Sequence, residues 1–167
     1  DLDIDGTFNS ALTGTAKTVT LIANDASLVS LGANTDTTLN ISNQIVTTGN
    51  TTIGNTGRTT TISIKKSTDF DPNLTSVINA ADDVVSVTGS LNINVDSTSP
   101  TLTGGETITV IDSNENAGTS YAVLFANGSI TLTDTALIDL QNDNSDAQDL
   151  KIKVVAKAAP DGAIGNA

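Results

Sequence analysis

The sequence predicts an all-β protein, and the favoured architecture is a parallel β-solenoid. Apolar and polar residues alternate in seven short segments, which is the pattern of half-buried strands. Clusters of Gly, Asn, Asp and Ser separate these segments at intervals of about 7–10 residues. Aromatic residues make up only 2% of the chain. A β-sandwich, whose core commonly contains large rings, is therefore the alternative and not the first choice.

The predicted core is aliphatic because the seven segments place Val, Leu or Ile at every second position. Thr, Asn and Lys occupy the positions between them and are expected to face outward. Three strands of this length would form one coil of roughly 20–30 residues. The predicted inward residues are Val19, Leu21, Leu39, Ile41, Ile62, Ile64, Leu91, Ile93, Val95, Ile108, Val110, Ile130, Leu132, Leu150, Ile152 and Val154.

The first strand is predicted in DLDIDG, at residues 1–6. Asp at three alternate positions followed by Gly is also the first half of an EF-hand calcium loop. A complete loop would need a liganding side chain at its twelfth position, where the chain has Leu12, and helices on both sides. The stretch is interpreted as an edge strand with Leu2 and Ile4 inward. The outward aspartates would discourage pairing with another edge, and Gly6 is expected to begin a turn.

One short helix is predicted near residues 71–82. Asp71 is a suitable N-cap, and Pro72 would occupy the first helical position. We expect about two turns, packed over the side or the end of the β-structure. The apolar stripe with helical spacing is formed by Leu74, Val77, Ile78 and Ala81.

An antiparallel hairpin is predicted at Asn127-Gly128, between two alternating runs. This dipeptide is the strongest short hairpin signal, and a parallel coil does not require a two-residue turn. The C-terminal third is therefore expected to form an antiparallel cap. Such a cap would cover the unpaired strand edges and apolar side chains at the end of a solenoid.

The charge balance excludes two classes of partner. The chain has 7 Lys and Arg against 19 Asp and Glu, a net charge of -12, whereas nucleic acids and anionic membranes attract clustered basic residues. No apolar run approaches the ~20 residues of a membrane span, so this segment is not expected to insert into a membrane. A chain rich in Thr, Asn and Asp, poor in Lys and free of Cys and Met is typical of bacterial surface proteins.

The sequence predicts no catalytic residue. His and Cys are absent, which excludes the usual nucleophilic triads and removes the preferred zinc ligands. Paired carboxylates could act on glycans, and the candidates are Asp69 with Asp71 and Asp82 with Asp83. Asp71 is better explained as a helix cap, and glycan sites usually need aromatic platforms. The chain is therefore expected to be non-enzymatic.

A weak calcium site is the one cofactor considered. The segment NDNSDAQD, residues 142–149, contains Asp143, Asp146 and Asp149, and oxygen-rich loops can bind Ca²⁺. The favoured interpretation is a solvated polar loop. The sequence thus predicts no metal or other cofactor.

Three features follow one another in the C-terminal half of the chain. They are a Gly-containing turn and strand with Leu102, Gly105, Val110, Ile111 and Asp112, a last strand with Leu150, Ile152 and Val154, and a stretch rich in Ala and Gly at residues 158–167. This order resembles the end of an autotransporter passenger domain, the exported part of a type V secretion protein, in which such a turn and strand and a last strand lead into a linker. The resemblance covers roughly residues 85–167.

Residues 1–157 are expected to form a single β-solenoid-like domain, with a linker-like tail over residues 158–167. The resemblance implies that this solenoid is a right-handed parallel β-helix. It also implies an outer-membrane β-barrel of the same precursor as a partner, and display on the surface of a Gram-negative bacterium. The function expected is that of a structural or adhesive module, which could contact a host or matrix surface. The alternative is a self-assembling subunit of a surface layer or extracellular filament, whose partners are copies of itself.

Overall fold

The computed structural model describes residues 2–4, 6–9, 18–22, 28–96, 102–116 and 119–158. These residues form an all-β fold, as predicted, with a single short helix, α1 (Tyr121–Ala126). The strands in this described part are β1 (Leu2–Ile4), β2 (Thr7–Asn9), β3 (Thr18–Ile22), β4 (Leu28–Leu31), β5 (Thr37–Ile41), β6 (Gln44–Thr48), β7 (Asn50–Ile53), β8 (Thr59–Ile64), β9 (Ile78–Val87), β10 (Ser90–Val95), β11 (Thr107–Asn116), β12 (Ile130–Thr133), β13 (Ile138–Asp143) and β14 (Leu150–Ala156).

Five strands form an all-parallel sheet in the order β12-β10-β8-β5-β2, called the parallel sheet below. Its inward positions hold similar residues in register. Leu39, Ile62 and Ile93 are register partners on adjacent strands and are fully buried. Phe8 and Leu132 continue the same row at the two ends and pack against the core. This stacking of aliphatic side chains is the source of the sheet's hydrophobic stabilisation.

The other strands form a nine-stranded sheet, called the mixed sheet, with the main order β1-β4-β7-β9-β11-β14-β13. Pairing is parallel from β1 to β11, and β14 is antiparallel to both β11 and β13. The ten-residue β9 pairs with two short strands, because Ile78 lies opposite Ile45 of β6 and Val85 lies opposite Thr51 of β7. Between those short strands, Gly49 donates its N–H to Asp83 Oδ2 at 2.8 Å.

One hydrophobic core joins the inward faces of the two sheets. From β4 to β12 the chain passes repeatedly between the sheets, with the consecutive strands β6 and β7 both in the mixed sheet, and each pass adds a strand beside an earlier one. The predicted aliphatic core is confirmed wherever side chains are described: Leu132 is half-buried, and the buried residues are Leu39, Ile41, Ile62, Ile64, Leu91, Ile93, Val95, Ile108, Val110, Ile130, Leu150, Ile152 and Val154. The strand that carries Val19 and Leu21 is present as β3, but its side chains lie outside the description.

Glycines mark the corner where the chain leaves the mixed sheet for the parallel sheet. Gly6, Gly32, Gly54 and Gly89 follow β1, β4, β7 and β9, and each has a positive φ between 73° and 86°. Gly54 donates its N–H to the Leu31 carbonyl at 2.8 Å. A Cβ on Gly54 would lie 2.2 Å from the Thr88 carbonyl oxygen of the next pass. Only glycine satisfies both the backbone angle and this close approach.

The predicted helix near residues 71–82 is wrong. Asp71 does accept a hydrogen bond from the Asn73 N–H at 3.0 Å, and the Thr75 N–H reaches the Asp71 carbonyl, but only a turn forms. The strand β9 begins at Ile78 and includes Asp82 and Asp83, and Leu74 is 80% exposed. An isolated two-turn helix is marginal, so burying the β-branched residues between two strands outweighs the helical spacing.

The predicted hairpin at Asn127-Gly128 is also wrong, although antiparallel pairing in the C-terminal third is confirmed. The run before the dipeptide is α1, with Asn127 as its C-cap and Gly128 at φ 78°. The antiparallel ladders instead join β14 to β11 and to β13. The end of the parallel stack is therefore covered by β14, which pairs with the sequence-distant β11, and by β13, which reaches β14 through residues 144–149 and not through a two-residue turn.

The first strand and its turn are present as predicted. β1 lies at the end of the main order of the mixed sheet, Ile4 packs against the core, and Gly6 has the positive φ of a turn. Asp1 and Asp5 lie outside the described residues, as do the side chains of Leu2 and Asp3. Of the predicted tail at residues 158–167, only Ala158 is described, and its side chain is exposed.

Candidate functional site

The outward side of the parallel sheet carries two rows of uncharged polar side chains. Neighbours within a row are register partners on adjacent strands, and inward apolar residues separate the two rows. All of these outward side chains are half-buried or exposed. We call them the polar face; its first row is Thr7, Thr38, Thr61, Asn92 and Thr131, and its second row is Asn40, Ser63, Asn94 and Thr133.

The polar face is regular in two directions. Adjacent strands lie ~4.8 Å apart, and outward residues along one strand are ~6.6 Å apart. Every described pair in this sheet keeps one register, whereas the register shifts in the β9–β11 and β11–β14 pairs of the mixed sheet. Thr131 and Thr133 both donate their hydroxyls to Asn92 Oδ1, at 3.4 and 2.8 Å. Such bonds, and the stiffness of Thr at χ1, hold these side chains in place.

A groove of about 600 Å³ lies at one end of the polar face. Asn40 and Ser63 belong to both, and Ser42 and Ser67 extend the groove's polar lining. Its charged members are Lys65 and Asp96, whose Nζ and Oδ2 atoms are 3.7 Å apart and whose side chains are 50% and 31% exposed. An exposed ion pair of this kind contributes little to stability. Its two charges lie at the border of the uncharged polar face.

The carboxylates considered for calcium are held by donors of the protein itself. Asp146 Oδ2 lies 3.0 Å from the Lys151 ammonium, and its Oδ1 accepts the Gln148 N–H at 2.9 Å. Asp149 Oδ1 accepts the Ser113 N–H at 3.2 Å, while its Oδ2 lies 3.5 Å from Lys151. Asp143, which precedes both of them in the chain, accepts the Ser145 N–H at 3.0 Å. These hydrogen bonds and ion pairs with the protein's own groups hold the loop in its conformation.

The pKa values in this loop follow from those contacts. The N–H of Gln148 and the Lys151 ammonium hold the pKa of Asp146 below its ordinary value. The hydrogen bond to Asp146 raises the pKa of Lys151, and the hydrogen bonds from Ser145 lower that of Asp143. Within the ranges that the structure describes, no group of three or more acidic side chains is arranged to hold a metal ion. The absence of a cofactor stays a prediction.

The carboxylates considered for catalysis also have structural contacts. Asp71 Oδ2 lies 2.9 Å from Lys66 Nζ, and the hydrogen bond from Lys66 is the main reason for its lowered pKa. Asp83 binds the N–H of Gly49, as described above. The side chain of Asp82 lies outside the description. The structure does not assign a role to the carboxylate of Asp69. That the chain has no catalytic residue stays a prediction.

A second concavity, of about 540 Å³, lies beside α1. Its apolar lining includes Ala122, Phe125, Leu132 and Leu140, and its polar rim includes Asn144. Ser120 caps the helix by accepting the Val123 N–H. Burial raises the pKa of Tyr121, at the start of α1, to about 12, so its hydroxyl stays protonated at neutral pH. Among the described residues that line this hollow, none has an ionisable side chain.

The sequence predicted that Thr and Asn would face outward but not that they would form continuous rows. The alternation is a local signal, and the rows depend on the register between strands that are distant in the chain. The six-residue α1 is too short to cross a membrane, and no other helix occurs in the described ranges. Comparison of the chain with protein-family models, with curated proteins and with solved structures found no match.

Proposed function

We propose that the chain is a non-enzymatic structural module of a bacterial cell surface, and that it coils as a right-handed parallel β-helix like the membrane-proximal stem of an autotransporter passenger. The observation that carries this proposal is the alternation of the chain between two sheets with parallel pairing at each return. Parallel neighbours need long crossover connections, and here the strands of the opposite sheet provide them. β-Sandwich sheets are antiparallel, so this pairing favours the coil.

The unequal numbers of residues in successive passes of the chain also fit the proposal. The passes from Leu39 to Ile62 and from Ile62 to Ile93 add one strand each to the parallel sheet, although the second pass contains the turn at Asp71 to Thr75. A coil tolerates such insertions at its surface because loop closure costs rise slowly with length. This tolerance explains why the sequence has no strict repeat.

The antiparallel C-terminal strands support the proposed role as a stem. β13 and β14 end the parallel stacking of the mixed sheet against β11, which would protect the coil at the end nearer the membrane. In this proposal the segment after Ala158 is a linker to an outer-membrane β-barrel of the same precursor. The net charge of -12 suits a surface exposed to water and opposes adsorption to anionic lipid.

Surface display tests the proposal directly. The chain would replace the passenger stem of a Gram-negative autotransporter that keeps its own signal peptide and barrel. We expect residues 1–167 to reach the cell surface and to resist protease there, because the described residues form a closely packed core. The measurement is surface labelling and protease protection on intact cells.

Two variants provide the controls for this display experiment. Ile93→Asp places a charge in the core, where Ile93 is fully buried, and should abolish protection. Leu74→Asp changes a side chain that is 80% exposed and should behave as the original chain. Retention in the periplasm, or display in a protease-sensitive form, would contradict the proposal.

A further inference from the structure

We propose that the polar face adsorbs to the surface of ice, with ordered water as its ligand. The first reason is charge. Asp, Glu, Lys and Arg make up 16% of the chain and leave it at -12, yet the two rows of the polar face contain only Thr, Asn and Ser. Lys65 and Asp96 stand at the border of the face and not within it. An uncharged surface matches a lattice of neutral water molecules.

The second reason is regularity. The outward groups repeat at ~4.8 Å across the strands and ~6.6 Å along them, distances of the same order as the repeats between oxygen atoms on the surfaces of ice. The constant register of the parallel sheet maintains this repeat over five strands. The face is therefore a two-dimensional array of hydrogen-bonding groups, and a ligand with its own two-dimensional order can contact all of it at once.

The energetics favour such a ligand. A protein hydrogen bond that replaces bonds to bulk water gains only about 0.5–1.5 kcal/mol, so a neutral polar face needs many simultaneous contacts. Ordering a single water molecule costs up to ~2 kcal/mol, but the molecules of an ice surface are already ordered. The Thr hydroxyls held by Asn92 are likewise ordered before binding. Neither the polar face nor the ice surface loses much conformational freedom on binding, and the small free-energy gains of the individual hydrogen bonds add up.

Two other occupants fit less well. A second copy of the chain would bury only an area on the order of 200–300 Å² per partner, from five strands and two rows at strand spacing, against the ~800 Å² per partner of a stable interface. A polysaccharide would be expected to stack on aromatic rings, and none of the outward positions of the polar face is aromatic. The chain has a single Tyr and three Phe in total.

Growth of single ice crystals in a solution of the purified chain tests the proposal. We expect the crystals to become faceted and to stop growing over a temperature interval below their melting point. Thr61→Lys changes the centre of the first row, where a long charged side chain prevents close contact, and should abolish the interval. Thr131→Lys, on the exposed end strand, is a second variant that should perturb folding less. It should narrow the temperature interval over which growth stops. Circular dichroism and unfolding midpoints identify any variant that does not fold.

Thr52→Lys is the matched control, because Thr52 is an outward, half-buried residue of the mixed sheet. It should keep the growth interval and the faceting. Rounded crystals with no interval in the original chain would overturn the proposal, as would an equal loss in Thr52→Lys and Thr61→Lys. Binding to crystalline cellulose or chitin, or dimerisation in sedimentation, that is lost in Thr61→Lys without an effect on ice would assign the face to those partners. The inference goes beyond the display function, which the protease experiment tests separately.

Discussion

Replacing Gly54 by Ala is expected to lower the free energy of unfolding by about 3 kcal/mol or more. The backbone at Gly54 has φ 80°, a conformation that costs an L-residue ~1–2 kcal/mol. The added Cβ would also lie 2.2 Å from the Thr88 carbonyl oxygen, and backbone cannot rotate away as a flexible side chain can. The turn would have to open, weakening the Thr88 hydroxyl bond to the Gly54 carbonyl. Urea unfolding followed by far-UV circular dichroism measures the change.

Gly57→Ala is the matched control for this prediction. Gly57 has a similar φ, 76°, but no heavy atom lies within 4 Å of the position of an added Cβ. Gly57→Ala should lower the free energy of unfolding only by the cost of the strained backbone angle, about 1–2 kcal/mol. Because the two glycines differ mainly in the close contact, the difference between the variants measures that contact. Equal destabilisation by the two substitutions would contradict the described approach of consecutive passes.

Replacing Ile62 by Ala is expected to lower the free energy of unfolding by about 2–5 kcal/mol. Ile62 lies on the central strand of the parallel sheet, between Leu39 and Ile93, and none of its surface is exposed. Truncation removes buried methyl groups and leaves a cavity that two neighbouring strands prevent from closing. The same urea titration measures the loss, with the slope of the transition showing whether the folded state stays compact.

Leu74→Ala is the control for truncation of an aliphatic side chain. Leu74 is 80% exposed, so its change should stay within about 0.5 kcal/mol. The contrast also tests the correction to the helix prediction. A large effect at Leu74 would mean that this residue packs on an apolar stripe after all, whereas a small effect at Ile62 would contradict the core.

The aliphatic core could be predicted because its signal is local. Alternation in SLNINV is visible within six residues, and Leu91, Ile93 and Val95 are buried as that alternation requires. The polar face could not be predicted in the same way. Asn92 lies beside Thr61 and Thr131 because of register, and register is set by the packing of distant segments.

The wrong hairpin prediction at Asn127-Gly128, where the chain instead ends α1, has a specific physical reason. Asn-Gly supplies the positive φ needed by a tight hairpin, but the end of a helix needs the same backbone conformation. Here the Asn127 N–H donates to the Val123 carbonyl at 3.0 Å, and the Gly128 N–H donates to the Phe125 carbonyl at 3.1 Å. These two hydrogen bonds end α1. The missed signal was Ser120, the N-cap three residues before Val123. Tyr121 and Leu124 then face the core at helical spacing.

Disulfide trapping tests the central claim, the parallel in-register stack, most directly. The chain has no Cys, so Thr61→Cys with Asn92→Cys places one thiol on each of two adjacent strands at partner positions. Their Cα atoms would be ~4.8 Å apart, within the range that a disulfide spans. Thr61→Cys with Asn94→Cys shifts the partner by two residues, to more than ~7 Å. Under mild oxidation we expect an intramolecular disulfide in the first pair and not in the second. Preferential bonding of the shifted pair, or no bond in either, would contradict the stack.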